Sequence, residues 1–153
     1  MSFSLEIDPE WNVIKKIKQS INSDPEVQGY GNDFREATLL TAIELVENAL
    51  KYSDSNGQEL PVKFSFELKD GVCRIQVNNQ VRNAKHRAAL KDVLEKIKSE
   101  DPFKLYVKRL EALRDQPDGY SRMGLIRIIY EGEFDLNAEF DEETVTLIAT
   151  RKI

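Results

Sequence analysis

Apolar residues recur at helical spacing through TLLTAIELVENALKYS, Thr38 to Ser53, in a pattern that resumes near Phe34 after a broken stretch. At about 100° per residue, Leu39, Ala42, Ile43, Val46, Ala49 and Leu50 fall on one side of this helix. Glu44, Asn48 and Lys51 share one narrow arc of the other side, with Thr41 at its edge. A carboxylate, an amide and an amine therefore project together. On spacing alone the stripe is the solvated face of an amphipathic helix.

The rest of the chain divides by period. Ser2 to Ile7 alternates weakly and reads as a short edge strand. Asp8-Pro9 has the chemistry of an N-cap with proline at the first helical position, and Trp11, Ile14, Ile17 and Ile21 follow at helical spacing. Asn22 to Asp33, with Pro25, Gly29 and Gly31, reads as loop, and DSNGQEL after Ser53 reads as turn, with Gly57 supplying a positive backbone angle. PVKFSFEL alternates cleanly. After Asp70-Gly71 the run VCRIQVN does so less strictly, Cys73 breaking the order; an Asp-Gly pair between two such runs predicts a hairpin. Asn83 to Ser99 and the segment after Pro102 are helical, Asp115 to Ser121 is loop, and Met123 to Tyr130 is a short helix closed by Gly132. FDLNAEF and TVTLIATRK form a last hairpin around Asp141-Glu142-Glu143. Antiparallel strand pairs with amphipathic helices to cover one side predict an α+β fold, a two-layer α/β sandwich.

With 153 residues and no internal repeat or linker, the expectation is a single domain spanning 1–153. Composition changes little: 41% hydrophobic and 32% charged residues are ordinary for a globular chain. Cys73 is the only cysteine, so no intrachain disulfide forms, and with a single histidine, His86, a usual zinc site is not expected. Cys73 reads as a buried, inert thiol, and His86 has nothing nearby in sequence to tune its ring for catalysis. No stretch has the length of uncharged residues a membrane span needs, and the opening MSFSLEIDPE lacks a signal pattern, so a cytoplasmic chain is expected. The net charge of −5 is unevenly spread: Arg82 to Arg109 holds nine Lys and Arg against four Asp and Glu, and the remainder holds 13 against 23. A basic segment can meet phosphate, nucleic acid or an acidic partner. Nucleic-acid binding is not expected, because acids interleave and no base-stacking aromatic cluster accompanies them.

The string ELVENALKYS resembles the N box of the histidine-kinase-like (GHKL) ATPase superfamily, which includes sensor kinases, Hsp90-type ATPases and bacterial anti-sigma factor serine kinases. Two further stretches resemble those serine kinases: EIDPEWNVIKKIKQSI resembles their first strand and helix. SRMGLIRIIYEGEFDLNAEFDEETVTLIATRKI resembles their C-terminal third, where Gly124 matches the last glycine of a glycine box. The resemblance implies a Bergerat-type sandwich, its mostly antiparallel sheet covered on one face by helices. It also implies a site for ATP or ADP with magnesium. In that site Asn48 carries the metal, Glu44 is the general base, Lys51 and Arg122 face phosphate, Gly124 lets phosphate approach the helix start, and Asn79 lies beside adenine.

The sequence departs from the family in that site. Asn79 stands where active members have an aspartate that reads the adenine amino group, and Val81 and Arg82 follow it in place of glycines. Tyr120 and Arg122 replace glycines of the second box, where Arg122 either pairs with phosphate or fills the pocket and pairs with Glu44. The basic 82–109 segment takes the place of the family's nucleotide-covering lid and reads as a fixed surface. Two functions follow. One is a regulatory protein of the anti-sigma or partner-switching type, with a sigma factor or antagonist protein as partner, a homodimer through the N-terminal strand and helix, and weakened or lost ATP binding. The other is an active ATP-dependent serine/threonine protein kinase that phosphorylates a small antagonist protein.

Overall fold

A computed structural model describes residues 2–7, 13–52, 62–115 and 123–153. They form an α+β sandwich: β1 (Ser2–Ile7), α1 (Val13–Asn22), α2 (Pro25–Gly29), α3 (Asn32–Tyr52), β2 (Val62–Lys69), β3 (Val72–Gln80), α4 (Ala84–Ser99), α5 (Pro102–Asp115), α6 (Met123–Tyr130), β4 (Asp135–Phe140) and β5 (Thr144–Lys152). The strands make one five-stranded sheet in the order β1-β2-β3-β5-β4, and all four pairings between neighbours are antiparallel.

Alternation sets the two faces of this sheet. Phe64, Phe66, Ile75, Val77, Leu136, Val145 and Leu147 are buried beneath the helices. Lys63, Glu67 and Arg74 on the opposite face are exposed, and there Asn78 Nδ2 donates to Thr146 Oγ1 across the β3–β5 pair at 2.8 Å. The β2–β3 hairpin turns at Asp70 (φ 52°) and Gly71 (φ 75°), the two left-handed positions that an Asp-Gly pair supplies. Cys73 belongs to the strict alternation after all, in register with Ile75 and Val77; the residue out of step is the half-buried Val72 at the strand start.

One segment read as loop contains a helix. Asp24 caps α2 through Oδ1, which accepts from Glu26 N at 2.8 Å and Val27 N at 3.4 Å, with Pro25 in the first turn. This is the same Asp-Pro signature read at Asp8-Pro9, which lies outside the described residues, as does the turn around Gly57. α2 seals Val27 into the core below α3.

Helix α3 is the hub of the helical layer and touches α1, α2, α6, β2 and β3. Thr38, Thr41, Ala42, Leu45, Val46 and Ala49 are all buried, so the apolar side and part of the polar side are both covered. α6 crosses α3 closely because two glycines let it. A methyl group on Gly124, in the first turn of α6, would overlap Glu44 Oε2. One on Gly132, just past its end, would lie 2.7 Å from the Ile128 carbonyl oxygen and 2.8 Å from Thr41 Oγ1. α5 lies on α6 through aromatic contacts, with Tyr106 and Tyr130 ring centroids 4.7 Å apart and Phe103 and Tyr130 5.9 Å apart. Within the 82–109 region, α5 is thus docked on α6, and α4 is anchored separately by its buried Leu90, Val93 and Leu94.

Candidate functional site

The polar stripe of α3 is only partly solvated. Glu44 and Asn48 are half-buried, and Lys51 is exposed one turn further on. The Glu44 carboxylate is already engaged. Its Oε1 accepts from Arg127 Nη1 at 2.8 Å, its Oε2 lies against Gly124, and its side chain is 12% exposed. Arg127 Nε in turn donates to Glu131 Oε2 at 2.5 Å. The three residues tie α3 to both ends of α6: the acid lies beside the first turn and the guanidinium stands in the last, the arrangement a helix dipole favours. Arg127 was not among the residues that spacing or resemblance singled out. It pairs with Glu44, one of the two roles considered for Arg122, which lies outside the described residues.

Burial raises the Glu44 carboxyl above its ordinary value of 4.5, and the Arg127 guanidinium pulls it the other way. The folded chain therefore holds this proton to higher pH than the unfolded chain does. Glu44 contributes stability that is full below pH 4.5 and is lost as the pH rises through its folded value. Glu44→Gln removes that component. Between about pH 4 and pH 7 the variant's melting temperature is expected to fall less, or rise more, with pH than the parent's. Parallel melting curves would show instead that Glu44 titrates as it does when unfolded.

The remaining site residues are divided between two places. Asn79, at the end of β3, is 4% exposed, and its Nδ2 has no hydrogen-bond partner among the described residues. An unmatched buried donor costs about 1–3 kcal/mol, so this amide suits an acceptor on a ligand. Val81 beside it is buried at 3% exposure, its N–H donating to the Glu143 carbonyl at 2.9 Å. Arg87 of α4 fastens the same corner: Nη1 donates to the Val81 carbonyl at 2.7 Å and Nη2 to the Asp141 carbonyl. Cys73, fully buried beneath α3, has its thiol pushed up to about 12 by burial, the Thr38 hydroxyl opposing the shift, and is no nucleophile. Among the described residues no group of acidic, histidine and cysteine side chains is placed to hold a metal ion.

A polar concavity of about 530 Å³ lies between the start of α3 and the far end of α6, lined by Asp33, Glu36, Arg127, Glu131, Glu133 and Arg151 among others. Arg151 Nη1 donates to the Gly132 carbonyl at 2.9 Å, and its guanidinium lies 5.8 Å from the Phe34 ring centroid. Both arginines in this hollow are thus used to hold α6 against its neighbours.

No known protein family matches the chain by its sequence, and no curated protein matches it. Its fold is similar to that of a chain in the crystal structure of the SiaB-SiaC complex from Pseudomonas aeruginosa, with a TM-score of 0.70 at 15% identity. The likeness covers 99% of this chain and 88% of that one. At this identity it is a likeness of fold. Among the described residues no helix is long and apolar enough to cross a membrane.

Proposed function

We propose that this protein is a signalling regulator that acts by binding another protein, in the manner of anti-sigma and partner-switching regulators, with nucleotide binding weakened or lost. The observation that carries the reading is the state of Glu44. One oxygen of its carboxylate accepts from Arg127 and the other packs against Gly124, so on this reading the expected general base serves as a packing and pairing group. The likeness to a chain found in a complex of two proteins adds support for a protein partner, a sigma factor or antagonist protein. A homodimer through β1 and α1 is compatible with the place of β1 at one edge of the sheet.

A second reading, the ATP-dependent serine/threonine protein kinase, draws its support from Asn79. Its buried, unmatched Nδ2 is an atom that a purine nitrogen would satisfy. On that reading Asn48 would hold magnesium, Lys51, Arg122 and Gly124 would face the phosphates, and a bound nucleotide would supply the phosphoryl group for transfer.

One thermal-shift experiment separates the two. At a magnesium-nucleotide concentration about 100 times a working dissociation constant, ligand binding adds about 2.7 kcal/mol. For a chain of this length that amounts to roughly 5–10 °C. The regulator reading expects less than about 1 °C with Mg-ATP or Mg-ADP at millimolar concentration. A rise of several degrees would overturn it in favour of the kinase.

A further inference from the structure

Strand β4 is the outermost strand on its side of the sheet, and among the described residues no strand pairs with its outer edge. Beside that edge runs a groove of about 280 Å³, lined by Lys91, Leu94, Glu95 and Lys98 of α4 and by Ala138 and Phe140 of β4. Leu94 is buried and Ala138 and Phe140 are half-buried, so the floor is apolar; the two lysines stand exposed at its rim with Glu95 between them, leaving the rim net positive. Lys91 Nζ lies 4.9 Å from the Phe140 ring centroid, which holds the ammonium over the groove. Neither lysine has an ion-pair partner among the described residues, whereas Lys96 on the same helix pairs with Asp92 at 3.1 Å.

We propose that this groove is the docking site for an extended, acidic segment of a partner protein, which adds to the outer edge of β4 as a further strand. The inference rests on the reading that the protein works by binding another protein. An exposed strand edge supplies unpaired backbone donors and acceptors for such an addition. Lys91 and Lys98 stand about 10.5 Å apart along the axis of α4. Two acidic residues four apart on a strand span about 13 Å, within reach of both flexible ammoniums, and place one side chain between them over Leu94 and Ala138. The groove face of the incoming strand thus reads acidic, apolar, acidic.

Charge also argues against a second copy of β4 as the occupant. Asp135, Asn137 and Glu139 point to the open face of the sheet and are exposed. Two copies of β4 paired antiparallel about Asn137 would set Asp135 against Glu139 at both ends, and like charges directly opposed destabilise a strand pair.

The test uses two labelled hexapeptides, Thr-Glu-Thr-Leu-Thr-Glu and Thr-Lys-Thr-Leu-Thr-Lys, titrated against the full chain and against a Lys91→Glu, Lys98→Glu double variant. Both lysines are exposed, so the variant is expected to melt within about 1 °C of the parent. The acidic peptide is expected to bind the parent about tenfold more tightly than the basic one, and the variant is expected to reverse that order. Hydrogen exchange at the β4 amides should slow when the acidic peptide binds. Equal affinities, an order unchanged by the double substitution, no binding of the acidic peptide at millimolar concentration, or binding without slowed β4 exchange would each overturn the proposal. None of these results bears on the Mg-ATP thermal shift, so failure of the groove and failure of the regulator reading are told apart.

Discussion

Gly132→Ala is expected to lower the melting temperature by roughly 2–12 °C. The added methyl would sit 2.7 Å from the Ile128 carbonyl oxygen and 2.8 Å from Thr41 Oγ1. Neither neighbour can yield cheaply. The carbonyl belongs to α6 and accepts from Phe134 N at 3.2 Å, and the hydroxyl is fully buried and bonded to the Ala37 carbonyl at 2.8 Å. Forcing a methyl into a closed core costs about 1–3 kcal/mol, and each kcal/mol shifts the midpoint of a domain this size by about 2–4 °C. Gly124→Ala is the control. The atom it meets first is the far end of the flexible Glu44 side chain, which can swing away at the expense of its contact with Arg127, so the loss should be smaller. If both variants melt like the parent, the close crossing of α3 and α6 is wrong.

Arg87→Ala is expected to cost about 2–3 kcal/mol, measured by urea unfolding. Its guanidinium donates to the Val81 carbonyl at 2.7 Å and to the Asp141 carbonyl, and it lies 5.5 Å from the Phe140 ring centroid. It thereby joins the end of β3, the β4–β5 turn and the start of α4. Hydrogen bonds to a charged donor contribute about 1.5–3 kcal/mol, and the half-buried bond to the Val81 carbonyl is the costlier one to lose. Arg87→Lys should recover only part of the stability, because an ammonium cannot present two forked donors to two carbonyls. Full recovery by lysine would mean that the charge alone matters.

How much of this was legible in the sequence depends on how local each cause is. Alternation in Val62 to Leu68, the Asp70-Gly71 turn and the helical spacing of Asn83 to Ser99 act over a few residues, and the structure has those elements where the pattern puts them. α2 was also legible, since Asp24-Pro25 carries the cap chemistry recognised elsewhere, but the glycines around it read as breaks. The partner of Glu44 was not legible. Arg127 is 83 residues away, and within its own helix nothing marks it beyond a spacing of four to Glu131. Resemblance drew attention to Arg122, which lies outside the described residues, and gave no reason to single out Arg127, five residues further along the chain. The unmatched amide of Asn79 was visible only as a substitution for aspartate; its burial depends on neighbours from β5 and the corner held by Arg87.

The burial of α3 bears on what a short motif is worth as evidence. Within ELVENALKYS, Leu45, Val46 and Ala49 are wholly enclosed, and Leu50 packs partly against the same core. Those letters are demanded by a sandwich that must fill the space between α1, α6 and the sheet, whether or not any nucleotide is ever bound. A chain that gave up catalysis would have to keep them or lose its fold. The informative letters are therefore few, Glu44, Asn48 and Lys51, and one of those three is held in place by an arginine. For chains of this architecture, a matching string attests the shape of the helix packing before it attests any chemistry.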